Sequence, residues 1–280
     1  MPIKSKIWTK RIVLFYRENL MLGIGDPLTI TLLLSAAIFA GFVDSIIGGG
    51  GLILIPALLL GLPSLPPSAA LGTNKTAAVC GTLLAAITYQ RKIPTPLTQL
   101  LSLGIPAILF STLGALATLK IDANILRPII LFAIIIIGLF LIFKPEFGKD
   151  DFDYPISKRQ LLLFLIIISA IGFYDGFFGP GTGMFLVLAL SGIGSQSFLK
   201  ATSFAKVINT ATNIGALFIF AIHGSILWKL AIPLAIANMA GSFLGSHLVL
   251  ARGTRLIRAA MLVLIFVLVI KLGLQELGIS

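Results

Sequence analysis

Long apolar runs dominate the chain and set its first expectation. Residues 28–40, 129–143, 161–171 and 261–270 are almost uninterrupted in Leu, Ile, Val, Phe and Ala. Such runs predict transmembrane helices or parts of them, since a helix needs about 20 apolar residues to cross a bilayer. A β-barrel would alternate polar and apolar positions instead. The expected class is an all-α polytopic membrane protein. Composition agrees: 58% of the residues are hydrophobic and 11% charged, where soluble domains carry about 25% charged residues.

The pattern is interrupted twice in the same way. GFVDSIIGGGGL runs from Gly41 to Leu52, and GFYDGFFGPGTG runs from Gly172 to Gly183. Gly41, Phe42, Asp44, Gly48 and Gly50 match Gly172, Phe173, Asp175, Gly179 and Gly181, each 131 positions on. Lys75 and Lys206 share that separation, as do Arg127 and Arg258. Ile105-Pro106 and Gly114 match Ile232-Pro233 and Gly241 at a separation of 127. The reading is two homologous halves of about four transmembrane helices each, at 28–143 and 161–280, each with a glycine-broken helix. A basic, aromatic interfacial segment precedes them at 1–27, read as an uncleaved anchor, and a polar linker joins them at 144–160. The apolar pieces around each break are too long for one span and short for two. They form either one broken span, with the halves parallel, or a hairpin, with the halves inverted. Loop charges favour the parallel option, because it puts twice as many basic residues inside.

The net charge of +11 is assigned to cytoplasmic helix flanks, not to a nucleic-acid partner. The N-terminus is therefore expected in the cytoplasm. One cysteine, Cys80, allows no intrachain disulfide, and His223 and His247 lie far apart in sequence. No metal site and no cofactor are expected.

Candidate chemistry sits at the breaks. Glycine runs and Pro180 free backbone N–H groups, and broken helices in paired positions of two halves point to a transporter's binding site. Free N–H groups and positive helix ends suit an anion, so Gly49, Gly50, Gly181 and Thr182 are candidate ligands. The helix after each break carries a lysine. Thr202, Lys206, Asn209 and Asn213 form one polar stripe, and Thr73, Asn74 and Lys75 stand at the corresponding place in the first half. An intramembrane lysine points to function, with snorkelling or pairing to Asp44 and Asp175 as the plainer alternatives. Asp44 and Asp175 either brace the helix ends or bind coupling protons.

GFVDSIIGGGGLILIP, LGTNK from Leu71 and ATSFAKVINTATNIGAL from Ala201 resemble the TauE/SafE family of sulfite and sulfonate exporters. The resemblance runs from about Ile30 to Leu272. It implies a plasma-membrane carrier for a small sulfur-containing or organic anion, usually taken as proton-driven, and so a bacterial inner-membrane protein. In the second half GPGTG replaces the glycine run, and Ser203-Phe204-Ala205 separate Thr202 from Lys206. An anion channel is the main rival. An intramembrane aspartyl protease would need Tyr174-Asp175 and Gly23–Asp26 in the opposite order, so no enzyme is expected.

Overall fold

The computed structural model describes residues 26–130, 132, 158–192 and 197–252, with side chains except those of 158–161 and 252. Most of the N-terminal basic segment, nearly all of the polar linker, Arg258 and the 261–270 run lie outside the described residues. Nine helices form the described part. They are α1 (Pro27–Ile47), α2 (Gly51–Gly61), α3 (Pro67–Gln90), α4 (Leu97–Thr118), α5 (123–130), α6 (Lys158–Phe177), α7 (Thr182–Gly192), α8 (Phe198–Ile222) and α9 (Trp228–Arg252).

Helices α1, α4, α8 and α9 are long and apolar enough to cross a membrane, as expected of a polytopic membrane protein. Helix α3 has 24 residues, about 36 Å of rise, but its central Thr73-Asn74-Lys75-Thr76 makes it more polar than those four. It sits inside, where those groups are buried. Leu97, Leu101, Ile105, Leu109 and Leu113, four apart on α4, form an exposed apolar stripe. That is the face a bundle turns to lipid.

Local chemistry explains each end of α1. The Thr29 hydroxyl and the Thr29 and Leu28 N–H groups bond the Asp26 carboxylate, and Pro27 takes the first turn, where its missing N–H costs nothing. Those bonds, the Thr29 hydroxyl first, hold the Asp26 carboxyl below its ordinary range. At the other end Gly48 turns left-handed, with φ at 81°, and its N–H bonds the Asp44 carbonyl at 2.7 Å. Helix α2 then has 11 residues, about 16 Å of rise, too short to cross a core of about 30 Å.

The first break is a reversal. Gly61, at the end of α2, lies beside the Leu33 and Thr29 side chains of early α1, so α2 folds back along α1. The Tyr89 hydroxyl near the end of α3 bonds the Ser45 carbonyl near the end of α1. Helix α4 returns from there. Helix α6 runs alongside α4, with Gly172 against Ala107 and the Phe177 carbonyl accepting from Thr118. It therefore runs against α1. The lysine helices α3 and α8 are antiparallel too: Gln90 bonds Ser203, while Gly72 lies against Ser225. This packing corrects the preference for a parallel arrangement. The charge count depended on placing the Arg91-Lys92 loop and the linker inside, a small bias that helix packing overrides.

Helices cross at glycines. A Cβ on Gly41 would run into the Asn238 carbonyl, one on Gly241 into that of Ile38, one on Gly114 into that of Phe173, and one on Gly176 into that of Ser111. Small residues let backbones meet where the solvent offers no hydrophobic drive.

Arg127 closes α2. Its guanidinium donates to the Pro63 carbonyl at 3.0 Å and to the Leu59 carbonyl, supplying the cation that a helix C-terminus favours. Arg127→Ala is expected to cost about 1–2 kcal/mol and lower the thermal midpoint in detergent by about 2–8 °C. An unchanged midpoint would show that water replaces both bonds.

Candidate functional site

The two breaks meet at the centre. Gly48 and Gly183 touch backbone to backbone, and the ideal Cβ position of Gly51 lies 3.3 Å from the Pro180 Cα. The starts of α2 and α7 are therefore brought together. Each start has N–H groups without intrahelical partners and a positive dipole end. The second break is the more contorted. Gly179 and Gly181 both have positive φ, at 91° and 78°, whereas Gly50 is right-handed, at φ −57°. Only glycine adopts the former cheaply.

Both lysines lie at this junction, each held by the aspartate from the other part of the chain. Lys75 on α3 pairs with Asp175 on α6, Nζ to Oδ2 at 2.7 Å, and donates to Asn213 Oδ1 on α8 at 2.9 Å. Lys206 on α8 lies 3.6 Å from Asp44 Oδ2 and donates to the Asp44 main-chain carbonyl. Each lysine is 1% exposed. The pairs form one cluster, because Asp44 also acts electrostatically on Lys75. Snorkelling is excluded, and pairing with aspartate is realised in crossed form.

Of the expected ligands, Asn209 and Asn213 join the cluster. The Asn213 amide donates to Asn209 Oδ1 at 3.3 Å, and the Asn209 amide sits beside Gly183. The Gly50 N–H is already taken, donating to Asp44 Oδ1 at 3.1 Å. Gly49 follows the α1 turn next to Ile47 and Leu52. Gly181 begins α7 by accepting from Met184 and Phe185, and the Thr182 hydroxyl bonds the Gly179 carbonyl. Asn74 is buried on α3. Thr73 and Thr202 are committed elsewhere: the Thr73 hydroxyl accepts from the Leu227 N–H at 3.1 Å, and the Thr202 hydroxyl bonds the Phe198 carbonyl of its own helix.

Three contributors escaped the sequence reading. Tyr89 ties α3 to the residue after Asp44. The Tyr174 hydroxyl bonds the Pro180 carbonyl at 2.6 Å and fixes the second break. Gln90 clasps Thr95 and Ser203. Tyr174 had a signal, standing beside Asp175 in the repeated motif where the first half has Val43. Asp26 and Asp175 do not form a protease dyad, since one caps an exposed helix start and the other is buried against Lys75.

Comparison with known proteins agrees with this architecture. Residues 33–272 match the family described as Sulfite exporter TauE/SafE. A probable membrane transporter protein of Haemophilus influenzae is 37% identical over 243 residues, 87% of this chain and 94% of its own. The probable membrane transporter protein YfcA of Escherichia coli is 36% identical over 251 residues, 88% of this chain and 90% of its own. A third, from Sinorhizobium, is 35% identical over 237 residues, 85% and 89% of the two chains. No solved structure matches the chain. A family match over most of the chain, near-full-length relatives named as transporters and a bundle of apolar helices converge: the chain belongs to the TauE/SafE family of multi-pass membrane transporters and is not an enzyme.

Proposed function

We propose that the chain is a secondary carrier for a small anion, of the sulfite, sulfonate or related organic class, driven by the proton gradient across a bacterial inner membrane with its N-terminus in the cytoplasm. One observation carries the reading. Two buried lysines, Lys75 and Lys206, stand where two short helices begin, and those helix starts and ammonium groups together suit an anion. Asn209 and Asn213 add neutral hydrogen bonds. The 131-residue repeat, with its lysine helices antiparallel, supports two inverted halves, 28–143 and 161–280, that move against each other around the site. Burial of both lysines to 1% exposure favours a carrier with an occluded state over an open anion channel.

The test is uptake of labelled sulfite by proteoliposomes, with and without an imposed pH gradient. Saturable flux that rises with the gradient is expected. Unsaturated, electrodiffusive current would establish a channel. Lys206→Ala is expected to lower sulfite flux by roughly tenfold or more, equivalent to about 1.4 kcal/mol. It should leave the protein folded, because Asp44 keeps the Gly50 N–H. If Lys206→Ala and Lys75→Ala both transport at the wild-type rate, the site is elsewhere.

A further inference from the structure

The crossed pairs are alike in sequence and unlike in chemistry. Asp44 is tied twice and is not sealed in: its Oδ1 accepts from the Gly50 N–H, its main-chain carbonyl accepts from Lys206, and its side chain keeps 13% exposure. Lys206 could leave, and the Asp44 carboxylate would still have a backbone donor and its partial exposure. Asp175 has neither. Its side chain is 1% exposed, and its Oδ2 takes no hydrogen bond outside the Lys75 ion pair. Among the described residues no backbone N–H donates to it. Gly181, the counterpart of Gly50, has been turned to positive φ. Lys75, by contrast, has a second partner in Asn213 and would stay in place without Asp175.

We propose that Asp175 is the proton-carrying carboxylate of the transport cycle, and that Asp44 is a fixed charge bracing the α1–α2 turn. The proposal rests on the anion-carrier reading above. An entering anion replaces Asp175 Oδ2 on the Lys75 ammonium, while Asn213 keeps its own bond. The released carboxylate has no other hydrogen-bond donor among the described residues and a side chain 1% exposed, and a buried charge without a partner neutralises. A proton from the aqueous side facing the site adds to the Asp175 carboxylate. Lysine, anion and protonated acid then carry the same net charge as lysine and carboxylate did before. For a monovalent anion one proton crosses with it and no net charge moves. On release the proton leaves first, and the freed carboxylate recovers Lys75.

Few other groups can share this role. Helices α4, α7 and α8 pack against α6. Helices α4 and α7 have no ionisable side chain. Helix α8 contributes Lys206, with Lys200 near its start. Helix α3 contributes Lys75, and Asp44 acts on Lys75 from α1. Tyr174, adjacent on α6, has its hydroxyl committed to Pro180.

Infrared spectroscopy of the purified full-length protein separates the two carboxylates without reference to any substrate. Lys75→Met is expected to show a protonated-carboxyl C=O band that disappears in Lys75→Met/Asp175→Asn. Lys206→Met is expected to show none. A band in Lys206→Met and none in Lys75→Met would overturn the assignment. A flux arm covers the case in which Lys75→Met fails to fold. In proteoliposomes, the ratio of sulfite flux with a pH gradient to flux without one is expected to fall about tenfold in Asp175→Asn and to stay at the wild-type value in Asp44→Asn, whatever the absolute rates. Full acceleration in Asp175→Asn would also overturn the assignment. Absence of sulfite movement in the wild type would count against the sulfite reading alone, and the infrared comparison would still decide which aspartate titrates.

Discussion

Gly183→Ala is expected to leave little or no folded transporter. The added Cβ would stand 2.5 Å from the Gly48 Cα and 3.2 Å from both the Gly48 carbonyl oxygen and the Asn209 amide. The obstacle is backbone at a turn whose partner element is also fixed, so neither side can step away as a flexible side chain would. Overpacking that forces backbone shifts costs about 1–3 kcal/mol or more. Gly48→Ala meets the same contact from the other side and adds a left-handed φ of 81°, worth about another 1–2 kcal/mol. Against a total stability of about 5–15 kcal/mol, either change should be visible as lost monodisperse protein on size-exclusion chromatography of detergent extracts. Gly104→Ala is the control. Nothing lies within 4 Å of its Cβ position, and the helix interior gains about 0.5–1 kcal/mol from alanine. A Gly183→Ala protein that melts with the wild type would mean that the two breaks do not touch.

Much of this centre was legible in the sequence. The breaks, the lysine helices and the Asn209–Asn213 stripe follow from residues whose physics is local: glycine ends a helix, and a polar residue in an apolar run demands a reason. Partner choice was not legible. Lys75 has equal formal claims on Asp44 and Asp175, and only the direction in which α6 runs brings the second to it. Thr73 and Thr202 looked like ligands because hydroxyls near a lysine invite that reading. A hydroxyl can as easily bond its own helix or a neighbouring turn, and here both do. Arg127 appeared as a repeat position matched by Arg258 and not as a cap, since the carbonyls it caps are remote in sequence.

Reversing one partner of the tighter ion pair should have the second large effect. Lys75→Asp would set two carboxylates together at a position 1% exposed, and Asp175→Lys would do the same with two ammonium groups. Breaking a buried pair costs about 3–5 kcal/mol, and like charges add to that. Both single variants are expected to be lost to aggregation or proteolysis. The double reversal, Lys75→Asp/Asp175→Lys, restores opposite charges and should recover folded protein, read as a melting transition within several degrees of the wild type. It should not recover transport, because the ammonium would then sit on α6, away from Asn213. A double variant no better folded than either single one would show that the pair is not what joins α3 to α6. The same comparison gives the coupling energy directly, since neighbours in contact are non-additive.

The crossed pairs also set a schedule for biogenesis. Asp44 and Lys206 are 162 residues apart. At a synthesis rate of about 5–20 residues per second, the carboxylate is made about 8–32 seconds before its ammonium. Lys75 waits about 5–20 seconds for Asp175. During that interval the first half of the nascent chain holds one acid and one base without their final partners, in a medium where an unpaired charge is costly. A chain interrupted before Asp175 completes neither match. Such a fragment keeps charges without their final partners, so the arrangement that closes the finished transporter is complete only once both lysine helices have been made.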